Sequence, residues 1–218
     1  MLMRCREAMK ARREHGAVLV ETALFLPILM VLVFGVIEFS SAFQASSILA
    51  DATRAAGREG GAQGGRDANP PDEPLDYVDF VADAGSIVLQ RLPNGAHPEF
   101  MMVYKANDDG YPGASGNTTL NFTTLQDCAV SDECIELTWD DDDKRFVRSG
   151  GSWPPADHER CVQPYDRIGV AIFMSFEPLT GLFTPILRQE APSASNVNSG
   201  MVDHAVFVFE PAEPGECT

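Results

Sequence analysis

The chain has 218 residues, 44% of them hydrophobic, and a formal net charge of −16. That length allows a membrane helix and one modest globular domain, and little more. The acidic balance excludes a nucleic-acid binder, which needs basic patches to displace counterions from phosphates.

The charge is unevenly placed. Residues 1–16 carry Arg4, Arg6, Lys10, Arg12 and Arg13 against Glu7 and Glu14, a net of +3, so the rest of the chain carries −19. This leader holds no apolar stripe, and His15 is part of its polar flank. Residues 17–37 follow Gly16 and are apolar apart from Glu21 and Thr22. As a helix they span roughly 32 Å at about 1.5 Å per residue, enough to cross a bilayer core. A basic flank before the span and an acidic body after it predict a cytoplasmic N-terminus and an extracytoplasmic C-terminal domain. Pro27 removes one backbone donor, which membrane helices tolerate. Glu21 stands out, because a carboxylate near the bilayer centre costs about 2.5–3.5 kcal/mol on insertion scales. A secretory signal cut after Ala42 is the rival reading of this region. The apolar run is long for that purpose, and a buried acid there is a poor fit, so a retained helix is favoured.

Residues 38–57 continue as a helical stem. Of residues 40–57, 11 of 18 are Ala, Ser or Gly, which fits either close packing against another helix or a tolerant, partly exposed stem. Residues 58–74 (REGGAQGGRDANPPDEP) are rich in Gly and Pro and are predicted to be a flexible or extended linker. Residues 75–218 form the outer domain. A helix is predicted over 75–92, with strands over 99–105, 134–139, 167–176 and 202–209. Residues 140–160 are predicted to be a polar loop, and 178–189 a short apolar segment broken by Pro185. The order predicts a small α+β domain with a mainly antiparallel sheet.

Cysteines follow the same division. Cys5 lies in the leader, whereas Cys128, Cys134, Cys161 and Cys217 lie in the outer domain. Four cysteines in an oxidising compartment point to disulfides, with three full pairings open. Free thiols are the alternative, and a zinc site is weaker, because no C-x-x-C knuckle is present. Asp140–Asp143 offers hard oxygen ligands, but lacks the alternating acids around a glycine of a calcium loop, so a solvated loop is favoured. Asn107–Gly110 has turn chemistry. No catalytic, nucleotide or metalloprotease motif is present, His97, His158 and His204 stand apart, and an Asp203/Glu177 carboxylate dyad has only residue type in its favour. No cofactor and no metal is expected.

The N-terminal residues carry a resemblance. Gly16-Ala17 with Glu21 five residues after the glycine resembles the processing site of type IV pilin-like proteins. More narrowly, residues 20–60 resemble TadE-like pseudopilins of the Flp (Tad) pilus assembly system. Glu21, Ala23-Leu24, Pro27, Gly35 and Glu38 stand at that family's E-x-A-L-x-x-P and G-x-x-E positions. MVYKA near Val103 and IGVAIFMSFEPLTGLF near Val170 are similar to the extracytoplasmic part of such proteins. The resemblance implies a single-pass membrane protein cut after Gly16 by a prepilin peptidase. It implies partners among pilin or pseudopilin subunits and the assembly machinery. Glu21 would then partner the N-terminal amine of Ala17 on a neighbouring subunit. Thr22 replaces the tyrosine that major Flp pilins carry, which implies a minor component. A membrane-anchored extracytoplasmic binding module and a secreted enzyme released by signal peptidase are the alternatives.

Overall fold

The structure is a computed structural model that describes residues 2–64, 76–113, 115–118, 120, 133–180 and 200–212; of residues 2–17 only the backbone path is described. A first helix, α1, covers Leu2–Gln63. It is followed by α2 (Tyr77–Leu89), β1 (Ala96–Lys105), β2 (Cys134–Asp140), β3 (Arg145–Ser152), a 3-10 turn at Pro155–Asp157, β4 (Arg167–Phe176) and β5 (Gly200–Val208). The chain divides into two compact units, Met1–Ser41 and Ala42–Thr218. The architecture is α+β, as the residue pattern predicts.

In the first unit, α1 continues through Pro27. Ring closure at Pro27 removes the N–H that the Ala23 carbonyl would otherwise accept. Thr22 Oγ1 donates to the Val18 carbonyl at 2.8 Å, so its hydroxyl is satisfied within the helix.

Among the described residues, the second unit is built on a five-stranded antiparallel sheet in the order β3-β2-β1-β4-β5. Strand alternation sorts its side chains onto two faces. Met101, Val103, Ile168, Val170, Ile172 and Met174 point to the face covered by α2 and the C-terminal part of α1. Phe100, Met102, Tyr104, Ala171 and Phe173 form a second buried cluster on the other face. Gly169 is required there, since a Cβ at that position would lie 2.3 Å from the Tyr104 ring. On α2, the Asp76 N–H donates to the Asp79 carboxylate at 3.1 Å and fixes the helix start. Ser86 Oγ accepts the Phe146 N–H at 2.9 Å and joins α2 to β3.

Two boundaries differ from the sequence expectation. Residues 58–63, expected to open the linker, are the last turns of α1. The buried stripe Ala42, Ala45, Leu49, Ala52 and Ala56 belongs to the same core as the sheet. Gly57 and Gly60 extend it against Phe207 and Ile168. The small residues of the stem therefore bring α1 close to its own sheet. Burial in that core offsets the roughly 1 kcal/mol helix penalty of each glycine. The second difference is β3, which lies inside the stretch expected to be a polar loop. It is an edge strand, so it pairs through its backbone while its side chains stay largely polar. The linker residues 65–74 and most of 178–189 lie outside the described residues.

Candidate membrane-embedded assembly site

Val18–Gln63 contains, among the described residues, the one helical segment long and apolar enough to cross a membrane, consistent with a single span. Fifteen large apolar side chains between Val18 and Ile37 are exposed, from Leu19 at 71% to Phe34 at 38%. Fully burying a side chain of this kind is worth about 1.5–3 kcal/mol, so such a surface is at home in lipid or against other helices and not in water.

Glu21 lies on this exposed surface, where Glu21, Thr22, Phe25, Leu26, Ile28, Leu29 and Leu32 line a shallow groove along α1. Gly16 and Ala17 are helical. Ala17 stands four residues before Glu21, so its backbone nitrogen lies about one turn, roughly 6 Å, along the same helix face. The carboxylate thus sits close to the place where a cut after Gly16 would create an α-ammonium. Farther along α1, Gly35 and Glu38 are buried, and the Ser41 hydroxyl donates to the Glu38 carbonyl at 2.9 Å. Their spacing of three on one helix face was the signal available in the residues.

The other candidates of the outer domain hold turns and strands together. Asp140 Oδ1 accepts the N–H groups of Asp142 and Asp143 at 2.8 and 3.1 Å and so closes the β2–β3 turn. Asp141 pairs with Lys144 and with His97 at 3.1 Å, and hydrogen bonds from both hold its carboxyl below the usual carboxylate range. Among the described residues, no group of three or more His, Cys, Asp or Glu is placed to hold a metal ion. Asp203 lies opposite Ile172 in the β4–β5 register, five residues short of Glu177 and about 17 Å from it along the strand, so the two form no dyad. His204 lies opposite Ala171, with its ring 5.0 Å from Tyr111. Cys134 is buried on β2 and Cys161 is exposed after the 3-10 turn, whereas Cys128 and Cys217 lie outside the described residues.

One grouping escaped the sequence reading. His158 is buried among Tyr77, Trp153 and Phe209, and stacks on Phe209 with ring centroids 4.4 Å apart. These residues come from three separate stretches of chain, and nothing in the sequence signals that they meet.

Residues 16–58 match the family model of TadE-like proteins. Over this stretch the chain is similar to TadE-like proteins. The match begins at Gly16 and takes in Glu21, Pro27, Gly35 and Glu38, together with most of the small-residue stripe of α1. The TadE-like segment ends within α1, so the stretches near Val103 and Val170 lie beyond it. No curated protein and no solved structure matches the chain.

Proposed function

We propose that this TadE-like protein is a minor pilin, or pseudopilin, that takes part in assembly of a Flp-type pilus through helix–helix packing in the membrane, without catalysis of its own. The observation that carries this reading is the coincidence of the family match over residues 16–58 with an exposed apolar helix bearing a single acid, Glu21, one turn after Ala17. The basic leader stays cytoplasmic and the acidic outer domain lies outside the membrane. A prepilin peptidase cuts after Gly16 and frees the Ala17 amine. In the bilayer core, the Glu21 carboxylate then gains a positive partner on a neighbouring subunit, which offsets its desolvation. The small residues from Ala42 to Gly64 pack on the protein's own outer domain, which leaves the surface of residues 18–37 for neighbouring pilin or pseudopilin helices.

The mature N-terminus tests this. Mass spectrometry of the membrane-extracted protein is expected to find a chain starting at Ala17. A start near Phe43 would show release by signal peptidase, and an intact Met1 would show an uncut anchor, against the processing step.

Disulfide bonding of the outer domain is part of the same reading, supported by the placement of Cys128, Cys134, Cys161 and Cys217 in the part of the chain it puts outside the membrane. Intact-mass measurement with and without reductant is expected to shift by about two mass units per bridge. No shift would remove the bridges, and peptide mapping distinguishes the three pairings.

A further inference from the structure

The end of α1 is held by groups far away in sequence. A helix leaves its last carbonyls without intrahelical donors. Here the Glu210 N–H donates to the Gly61 carbonyl at 3.0 Å, and His158 Nδ1–H donates to the Gly64 carbonyl. The His158 ring is clamped between Phe209, stacked at 15°, and Trp153, edge-on at 62°. Tyr77 closes the cage edge-on at 85° and fixes its own hydroxyl on the Trp153 carbonyl at 2.8 Å. Gly64 fits against this cage because a Cβ there would lie 2.1 Å from the Phe209 ring.

With Nδ1–H committed to Gly64, the neutral ring leaves Nε2 as an acceptor. Among the described residues, buried Nε2 has no hydrogen-bond partner, and neither has Trp153 Nε1, which only donates. A protonated ring would place a second N–H at Nε2 inside a cage of ring surfaces, where burial opposes the charge and the Trp153 backbone, whose carbonyl already accepts the Tyr77 hydroxyl, favours it. The charged groups around the cage supply no further acceptor. Asp166 accepts the Glu159 N–H at 3.0 Å and pairs with Lys105 at 3.2 Å. Arg160, whose Nε donates to the Glu210 carbonyl at 3.0 Å, adds like charge. On the α2 side, Asp76 pairs with Arg148 at 3.7 Å. The carbonyl end of α1 favours a cation, but that attraction acts through the Nδ1–H bond that the neutral ring already makes.

We propose that His158 is an acid-sensitive latch: neutral, it ties the end of α1 to the outer domain, and protonated, it releases that end. Burial holds the imidazole below its ordinary value, against the opposing backbone hydrogen bonds to Gly64 and Trp153 and the charge of Asp166. The sign follows from linkage. The unfolded or opened state takes up a proton at the ordinary histidine value, near pH 6.5, while the closed state takes it up at lower pH. The latch is therefore fully effective above about pH 6.5 and weakens as pH falls below it.

The test uses the full chain in detergent micelles. Amide exchange of residues 57–64, corrected for its intrinsic pH dependence, is followed from pH 7.5 to 5, together with the His158 ring resonances. Below the ordinary histidine value, protection is expected to fall by up to about tenfold per pH unit, because opening takes up one proton. His158→Phe keeps the stack but cannot titrate, and should abolish the pH dependence. Unchanged protection in the natural chain would overturn the proposal, as would an unaltered pH dependence in a folded His158→Phe variant. If that variant fails to fold, the ring titration decides: a His158 that titrates at or above the ordinary value overturns the latch.

Discussion

Glu21→Ala is expected to enter the membrane at least as well as the natural chain while pilus assembly falls by about a hundredfold or more. The first half follows from transfer energetics. An acid inside the apolar span opposes insertion, at a cost that reaches about 2.5–3.5 kcal/mol at the bilayer centre, so removing it cannot impair insertion of a helix whose exposed residues from Val18 to Ile37 are otherwise almost all apolar. The second half follows from pairing. If Glu21 meets the α-ammonium of a neighbouring Ala17 in a low-dielectric setting, deleting it strands a buried positive charge. Breaking a buried pair in this way costs about 3–5 kcal/mol, and each 1.4 kcal/mol is about a factor of ten in association. Glu21→Gln keeps a hydrogen-bond acceptor without the charge and should fall between the two. Membrane fractionation gives the first quantity, and pilus yield by electron microscopy or shear-fraction immunoblot gives the second. Normal pilus formation by Glu21→Ala would refute the assembly role and favour the simple anchor.

Gly60→Leu is expected to destabilise the outer domain by about 1–3 kcal/mol, the usual range for overpacking. A Cβ at Gly60 would lie 2.5 Å from Ile168 Cδ1 and 3.0 Å from Val81 Cγ2, so α1, α2 and β4 all meet at this position. Both contacts are with the ends of side chains that can rotate, which is why leucine and not alanine is the informative change. Alanine gains about 1 kcal/mol of helix propensity over glycine, which offsets part of the clash. Ser47→Leu, on the exposed face of the same helix, should stay within about 0.5 kcal/mol of the natural chain. Chemical denaturation followed by the fluorescence of buried Trp153 measures both variants. Equal stability of Gly60→Leu and the natural chain would mean that the end of α1 is not docked in the core. The two variants also separate the two parts of α1. Glu21→Ala should affect assembly without changing the outer domain, whereas Gly60→Leu acts on the outer domain first.

The membrane-length helix, its lone acid and the strands β1, β2, β4 and β5 were legible in the residues. The run from Ala17 to Ile37 has no other economical solution than a helix in an apolar medium. The expected strand over 167–176 and β4 coincide at Arg167–Phe176, because a central strand buried on both faces needs an unbroken apolar run. Glu21, Ala23-Leu24, Pro27, Gly35 and Glu38, together with Gly16, point to TadE-like proteins, and the family match covers those positions.

Three features were decided by the tertiary structure alone. The small residues between Ala42 and Gly64 announce close approach without naming the partner, and only folding shows the partner to be the sheet of the same chain. Arg145–Ser152 has polar side chains and two glycines, so its strand character comes from the backbone of β2 and not from a pattern of its own. His158 lies within a polar stretch of the sequence, Asp157 to Arg160, and is 94 positions from the Gly64 carbonyl that it holds. Periodicity reports which face of an element is apolar, but cannot report what lies across from it. That is why the span and Glu21 could be read from composition and spacing, while the docking of α1 and the cage around His158 depend on contacts between distant parts of the chain.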